Sequence, residues 1–163
     1  MPHSVPRPQR DRIDRAIVTR LQVDGRLANV DLADAISLSP SACLRRVKAL
    51  EADGIIAGYR AEVDRIRAGL DLTVFIELRV EGHSKGSAAR IEQALTAIPA
   101  VVACYLISGT ADFFVEVVVP DLAAYEQLLL GQILAIPQVV SAQSNFAIRT
   151  VLNRGPLPLD HWK

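Results

Sequence analysis

Apolar positions in the first third of the chain recur at steps of three and four, the spacing of one helix face. From Asp11 to Val23, Ile13, Ala16, Ile17 and Leu21 form a stripe that predicts a first helix, closed by Asp24-Gly25. Asn29 to Ile36 predicts a short second helix, capped near Asn29, with Leu32 and Ile36 facing inward. Ser39 to Gly54 predicts a third. Ser39 can cap it, and Pro40 suits the first helical position, where its missing N–H is no loss. Gly54 supplies the left-handed residue that closes the far end. Cys43, Leu44, Val47 and Leu50 share its inner face. Three helices with the tight turn Ser37-Leu38-Ser39 before the third predict a helix-turn-helix, although an unrelated three-helix unit has the same spacing.

Ile55 to Val63 reads as extended, and Asp64 to Gly69 as a linker. Beyond it the period changes to two, and the pattern repeats. Phe75-Ile76-Glu77-Leu78-Arg79-Val80 returns 39 residues later as Phe114-Val115-Glu116-Val117-Val118-Val119, and Ala97-Ile98-Pro99 returns 38 residues later as Ala135-Ile136-Pro137. Each copy runs strand, helix, proline stop, strand, with helices at 84–97 (Ala88, Ile91 and Leu95 inward) and 121–135 (Leu122, Tyr125 and Leu129 inward). Two copies in series predict a β-α-β-β-α-β, ferredoxin-like domain. The fold class is therefore α+β, a winged three-helix helix-turn-helix followed by that domain. The expected segments are a disordered arm at 1–10, the helix-turn-helix at 11–54, an extended linker or strand at 55–70, the ferredoxin-like domain at 71–153 and a tail at 154–163.

Strand alternation assigns the faces. Val74, Ile76, Leu78, Val80, Val115, Val117 and Val119 form an apolar set for the helices to cover. Phe75 and Phe114 lie on the other face beside Glu77 and Glu116, and two phenylalanines on a half-polar face predict a second subunit there, in a two-fold homodimer.

Charge changes the picture of the third helix. Its outer face carries Ser41, Ala42, Arg45, Lys48 and Ala49, with Arg46 at the margin: short, cationic and without acidic groups. Such a face suits the major groove, where Arg and Lys reach guanine edges or phosphates, and equally suits a solvated amphipathic surface. The whole chain is neutral, but residues 1–60 hold 10 Lys/Arg against 7 Asp/Glu and residues 61–163 hold 8 against 11. A mildly basic head on a mildly acidic body follows. Cys43 and Cys104 both sit in apolar patterns and read as reduced core thiols, and the three histidines are isolated, so no metal-ligand spacing appears. The uncharged runs 93–111 and 127–148 are broken by Pro99, Pro137 and Ser108-Gly109-Thr110, which fits buried elements better than membrane spans. The N-terminus lacks the apolar segment of a signal peptide, so a cytoplasmic protein is expected. No nucleophile–base pair or paired carboxylates converge, which disfavours an enzyme.

These residues resemble the leucine-responsive/asparagine-regulator (Lrp/AsnC) family of transcription regulators. The resemblance spans about residues 11–153 and rests on Asp14 through Leu21 with Asp24-Gly25-Arg26, on Leu38-Ser39-Pro40 with Cys43-Leu44-Arg45-Arg46-Val47, on Leu50-Glu51 with Gly54-Ile55-Ile56 and Gly58-Tyr59, and on Ser108-Gly109 with Asp112. It implies a DNA-binding head and a body that senses small molecules, usually amino acids, in dimers that often assemble to octamers. Ser39, Ser41, Ala42, Arg45, Arg46 and Lys48 are the candidate contacts to double-stranded DNA.

The turn from Ser108 to Asp112 joins two strands, and Gly109 there lets a ligand approach main-chain amides. Those amides suit an α-carboxylate and Asp112 an α-ammonium; the plainer reading is a hairpin with a capping aspartate. The family pattern favours the ligand, and the resemblance adds Leu106, Ser108, Gly109, Thr110, Leu122, Asn145, Phe146 and Ala147 as effector-pocket residues, with no cofactor or metal. Phe113 stands where many members have Tyr, the linker near Asp64-Arg65 lacks the frequent Asn-Pro, and the tail to Lys163 extends beyond the shared part. The expectation is a sequence-specific transcription regulator modulated by an amino acid, with an effector-independent architectural DNA-binding protein as the alternative.

Overall fold

The computed structural model describes residues 10–81 and 85–162. All of the predicted arm at 1–10 except Arg10, and the predicted helix start at Ser84, lie outside the described residues. Two compact units emerge, a head made of the residues up to Glu62 together with those from Leu152 onward, and a body from Val63 to Val151.

In the head, Asp11 caps α1 (Arg12–Val23), its carboxylate accepting the Asp14 N–H at 2.8 Å. Helix α2 (Asn29–Ala35) is not capped by Asn29 as expected: Ala28 holds the N-cap, without a side-chain bond. Asn29 is already helical, and its Nδ2 donates to the Pro40 carbonyl at 2.8 Å, joining the start of α2 to the start of α3 (Pro40–Ala52). The turn between them ends α2 with Ser37 in the left-handed region (φ 57°), where the Leu38 N–H returns to the Ala33 carbonyl at 3.0 Å. Ser39 caps α3 through the Ala42 N–H, and Gly54 (φ 70°) closes it while the Ile55 N–H reaches the Leu50 carbonyl. Ile17, Leu32, Ala33, Cys43 and Leu50 form the buried core. One inward assignment changes: Leu44 is 42% exposed, because the core side of α3 centres on Cys43, Val47 and Leu50, about 100° away from it per residue step. The 55–63 segment crosses the surface without pairing into a strand.

The body is a four-stranded antiparallel sheet in the order β2-β3-β1-β4, built from β1 (Leu72–Val80), β2 (Val101–Leu106), β3 (Phe113–Val119) and β4 (Val139–Phe146). Helix α4 (Lys85–Thr96) and helix α5 (Leu122–Leu128) supply the crossovers of the ferredoxin-like arrangement. Val74, Ile76, Leu78, Val115 and Val117 are fully buried against Ile91, Leu95, Leu128 and Ile133, as alternation requires. The second helix departs from expectation. After Leu128 it widens into a π-helical turn, Leu129–Ile133, which inserts a residue and shifts the inward set. Tyr125, Leu128 and Ile133 are buried, whereas Leu122, expected inward, is 63% exposed.

Candidate nucleic-acid interface and effector loop

Helix α3 presents Ser41, Arg45 and Lys48 at i, i+4 and i+7, all exposed and opposite the buried Cys43 and Leu50. The Ser39 hydroxyl spends its acceptor on the Ala42 N–H and lies 3.3 Å from the Ser41 hydroxyl, so both mark the N-terminal end of this face; Ala42 is half-buried beside them. The surface is short, cationic and shaped by a helix, which suits base edges and phosphates.

Arg46 stands apart from that face. Its Nη1 lies 2.8 Å from the Asp14 carboxylate and 2.9 Å from that of Asp11, with the side chain 31% exposed. The guanidinium therefore braces α3 on the first turn of α1. The Asp14 N–H, and after it Arg46, hold the Asp11 carboxyl below its ordinary range against an opposing effect of burial, and hydrogen bonding to Asp14 raises Arg46 itself. Arg10 adds a second tie at 2.7 Å to Asp53, the C-cap residue of α3. The signal for Arg46 was present in the sequence: acidic residues in the first turn of α1 oppose a cation on the margin of α3. Cys43 is wholly buried, and that burial pushes its thiol up, in line with its assignment to the core.

In the body the loop 108–112 joins β2 to β3, with Gly109 at φ 132°. Asp112 is engaged in its own hairpin region: its carboxylate accepts the Val80 N–H at 2.8 Å, its N–H donates to the Leu78 carbonyl, and its carbonyl accepts the Ile107 N–H. A cavity of about 330 Å³ opens beside this loop, lined by Thr110 and Ala111 with Glu77, Arg79, Ser141 and Gln143. Of the residues named for the effector, Thr110 lines it. Arg79, Ser141 and Gln143 were missed, although alternation places Arg79 on the face of Glu77.

Of the other named residues, Ser108 and Gly109 belong to the loop, Leu122 opens α5, and the rest lie on the sheet or just past the end of β4. Leu106 pairs with Phe113 and stays near the loop. Asn145 pairs with Phe75 and Phe146 with Val74, while the Ala147 N–H reaches the Thr73 carbonyl. They sit at the start of β1, whereas Asp112 holds Val80 at its end, about 20 Å away at roughly 3.3 Å per residue. Phe146 meets the Tyr125 ring edge-on at 5.4 Å, the Tyr125 hydroxyl bonds to that of Ser144, and Asn145 Nδ2 donates to Glu77 at 3.4 Å. One chain thus holds the named candidates in two groups, placed toward opposite ends of β1.

On the face opposite the helices, Phe75 and Phe114 stack with centroids 5.6 Å apart. Glu116 is not free there: Arg65 Nη1 donates to it at 2.8 Å and to the Thr73 hydroxyl at 3.2 Å, so the linker folds back over this edge. Among the described residues no group of His, Cys, Asp or Glu is arranged to hold a metal, and no helix is long and apolar enough to cross a membrane.

Comparison with known proteins finds two family models along the chain. Residues 10–57 match the family model for a winged helix-turn-helix DNA-binding domain, and residues 73–157 that for the Lrp/AsnC ligand binding domain. The chain is 39% identical over 149 residues to the Bkd operon transcriptional regulator of Pseudomonas aeruginosa, covering 91% of this chain and 97% of that protein. It is 37% identical to the leucine-responsive regulatory protein of Escherichia coli over 79% of each. Among solved structures, an AsnC family transcriptional regulator from Agrobacterium tumefaciens superposes with TM-score 0.88 at 36% identity, covering 93% of this chain and 98% of that one. A transcriptional regulator from Neisseria meningitidis, solved as a complex with L-methionine, superposes with TM-score 0.88 at 32% identity, covering 93% and 97%.

Proposed function

This chain belongs to the Lrp/AsnC family of DNA-binding transcriptional regulators and carries that family's ligand binding domain, and we propose that it reads DNA through α3 and is modulated by a free amino acid. The observation that carries the DNA half is the exposed row Ser41, Arg45 and Lys48 on the side of α3 opposite its buried residues. Arg45 is the candidate for bidentate contact to a guanine, Lys48 for a phosphate, and the N-terminal Ser39, Ser41 and Ala42 for close approach to the backbone. Arg46 holds the angle of α3 against α1.

The effector is proposed to be an amino acid, the class to which the ligands in the names of two relatives belong. The 108–112 loop and its neighbouring cavity offer main-chain amides to a carboxylate and Glu77 to an ammonium. Leu106 with Ser108, Gly109, Thr110 and Asp112 form one wall, and Leu122 with Asn145, Phe146 and Ala147 belong to another. Asn145 reaches the cavity lining through Glu77, but Phe146 and Ala147 stand toward the far end of β1 from the loop, and a second subunit supplies the complement. Dimers through the Phe75–Phe114 face, assembling further, meet that requirement.

The test is binding of the gene's own upstream DNA by anisotropy, with and without each of the twenty amino acids. The expected outcome is sequence-dependent binding that one or a few amino acids shift severalfold, together with a change in sedimentation. The engagement of Asp112 by the Val80 N–H favours a second reading, an effector-independent architectural protein. That reading expects a long footprint and a sedimentation profile that no amino acid alters.

A further inference from the structure

The segment after Val151 does not stay with the body; it is part of the head. There Gln22, near the end of α1, meets Leu157 with both halves of its carboxamide: Oε1 accepts the Leu157 N–H at 2.6 Å and Nε2 donates to the Leu157 carbonyl at 3.4 Å. One side chain thereby takes the place of a neighbouring strand. Leu157 lies between Pro156 and Pro158, neither of which has an N–H, so its amide is the only main-chain donor of that triplet, and Gln22 takes it. The flanking prolines hold the segment extended before it docks, which lowers the entropy lost on docking.

A second contact lies farther along the same helix edge, where Arg15 reaches Asp160 at 3.6 Å. The spacing is commensurate. Gln22 to Arg15 is about 10 Å along a helix at roughly 1.5 Å per residue, and Leu157 to Asp160 is about 10 Å of extended chain. The tail therefore runs antiparallel to α1. Its end turns over with the Trp162 N–H on the Leu159 carbonyl, and the Trp162 side chain is half-buried.

We infer that residues 155–162 are a strap docked on α1, giving the head a second tie to the body besides the 58–63 connection, covalent where the strap leaves the body and hydrogen-bonded where it meets α1. A head joined to the body by one stretch of chain explores more orientations than a head joined by two, so the strap narrows the range open to the recognition helix. The strap then matters where two heads must meet DNA at a set spacing and not where one head meets one half-site. This consequence rests on the DNA-binding reading above, whereas the docking itself does not.

The experiment uses the full chain with Gln22→Leu, Gln22→Glu and a chain ending at Asn153. Trp162, the sole tryptophan, reports docking through acrylamide quenching. Gln22→Leu is expected to raise quenching and to speed exchange of the Leu157 amide by about tenfold or more, with α3 protection unchanged. Gln22→Glu, which keeps the acceptor, is expected to retain most of the protection. Gln22→Leu and the shortened chain should both bind a fragment carrying paired sites several-fold more weakly, and a single-site fragment as the intact chain does. Unchanged quenching and exchange in Gln22→Leu overturns the strap, and so does a released tail that leaves paired-site affinity unchanged. If the intact chain binds neither fragment, the DNA reading fails, and quenching and exchange alone decide the docking. If Gln22→Leu fails to fold, the shortened chain decides the DNA outcome.

Discussion

Arg46 is a permanently charged side chain placed between two carboxylates, and removing it leaves Asp11 and Asp14 without their cation. Arg46→Met is expected to lower the stability of the head by about 1–2 kcal/mol, the range for charge-assisted hydrogen bonds, read from the urea midpoint. The accompanying pH dependence has a definite sign. Asp11 is held below its ordinary value of 3.8, so its contribution is present above that pH and is lost as pH falls through the lower folded-state value. Asp11→Asn should flatten the acid dependence of α1 amide exchange below about pH 4, because the group that titrates there is gone. Ser37 makes a different demand. Its left-handed backbone tolerates Ser, Asn or Gly, but a β-branched residue there is strained, so Ser37→Val should destabilise the head by about 1–2 kcal/mol while Ser37→Asn leaves the denaturation midpoint near that of the parent.

At the scale of elements, α3 is a helix with two working sides. Arg45→Ala is expected to weaken DNA binding by about 1–3 kcal/mol and relax preference at one base pair, whereas Lys48→Ala should weaken all sequences alike and reduce the salt slope by about one. Anisotropy at several salt concentrations on matched and mismatched sites separates them. The strands were legible because alternation alone separates Ile76 and Leu78 from Phe75 and Glu77, and burial follows that division. The Ser39 cap and the left-handed Gly54 were equally legible, being local chemistry, whereas the cap expected near Asn29 falls on Ala28 because Asn29 is already helical. The phase of α3 was harder. Leu44 and Arg46 both flank the inner face, and hydrophobicity alone chose the wrong one, since the carboxylates that draw Arg46 inward belong to α1. The π-helical turn at Leu129–Ile133 has no period of its own in the sequence, and Leu122, the first residue of α5, is exposed although its spacing matched the inward set. The strap was unreadable for a related reason: a lone Gln and a backbone amide 135 residues apart form no pattern.

Across the whole molecule, the basic head and the acidic body are separate units, and the candidate ligand residues all lie in the body. Within it, β1 keeps the 108–112 loop at one end and Asn145, Phe146 and Ala147 at the other. If two subunits complete one effector pocket, as proposed, the chain responds to its own abundance. Occupancy and assembly are linked through mass action, so the apparent affinity for the effector should tighten as the protein is concentrated and slacken on dilution. Calorimetric titrations at two protein concentrations, one on either side of the assembly midpoint, should give different midpoints, and a cell holding few copies would then be partly deaf to the same metabolite level that a well-stocked one detects.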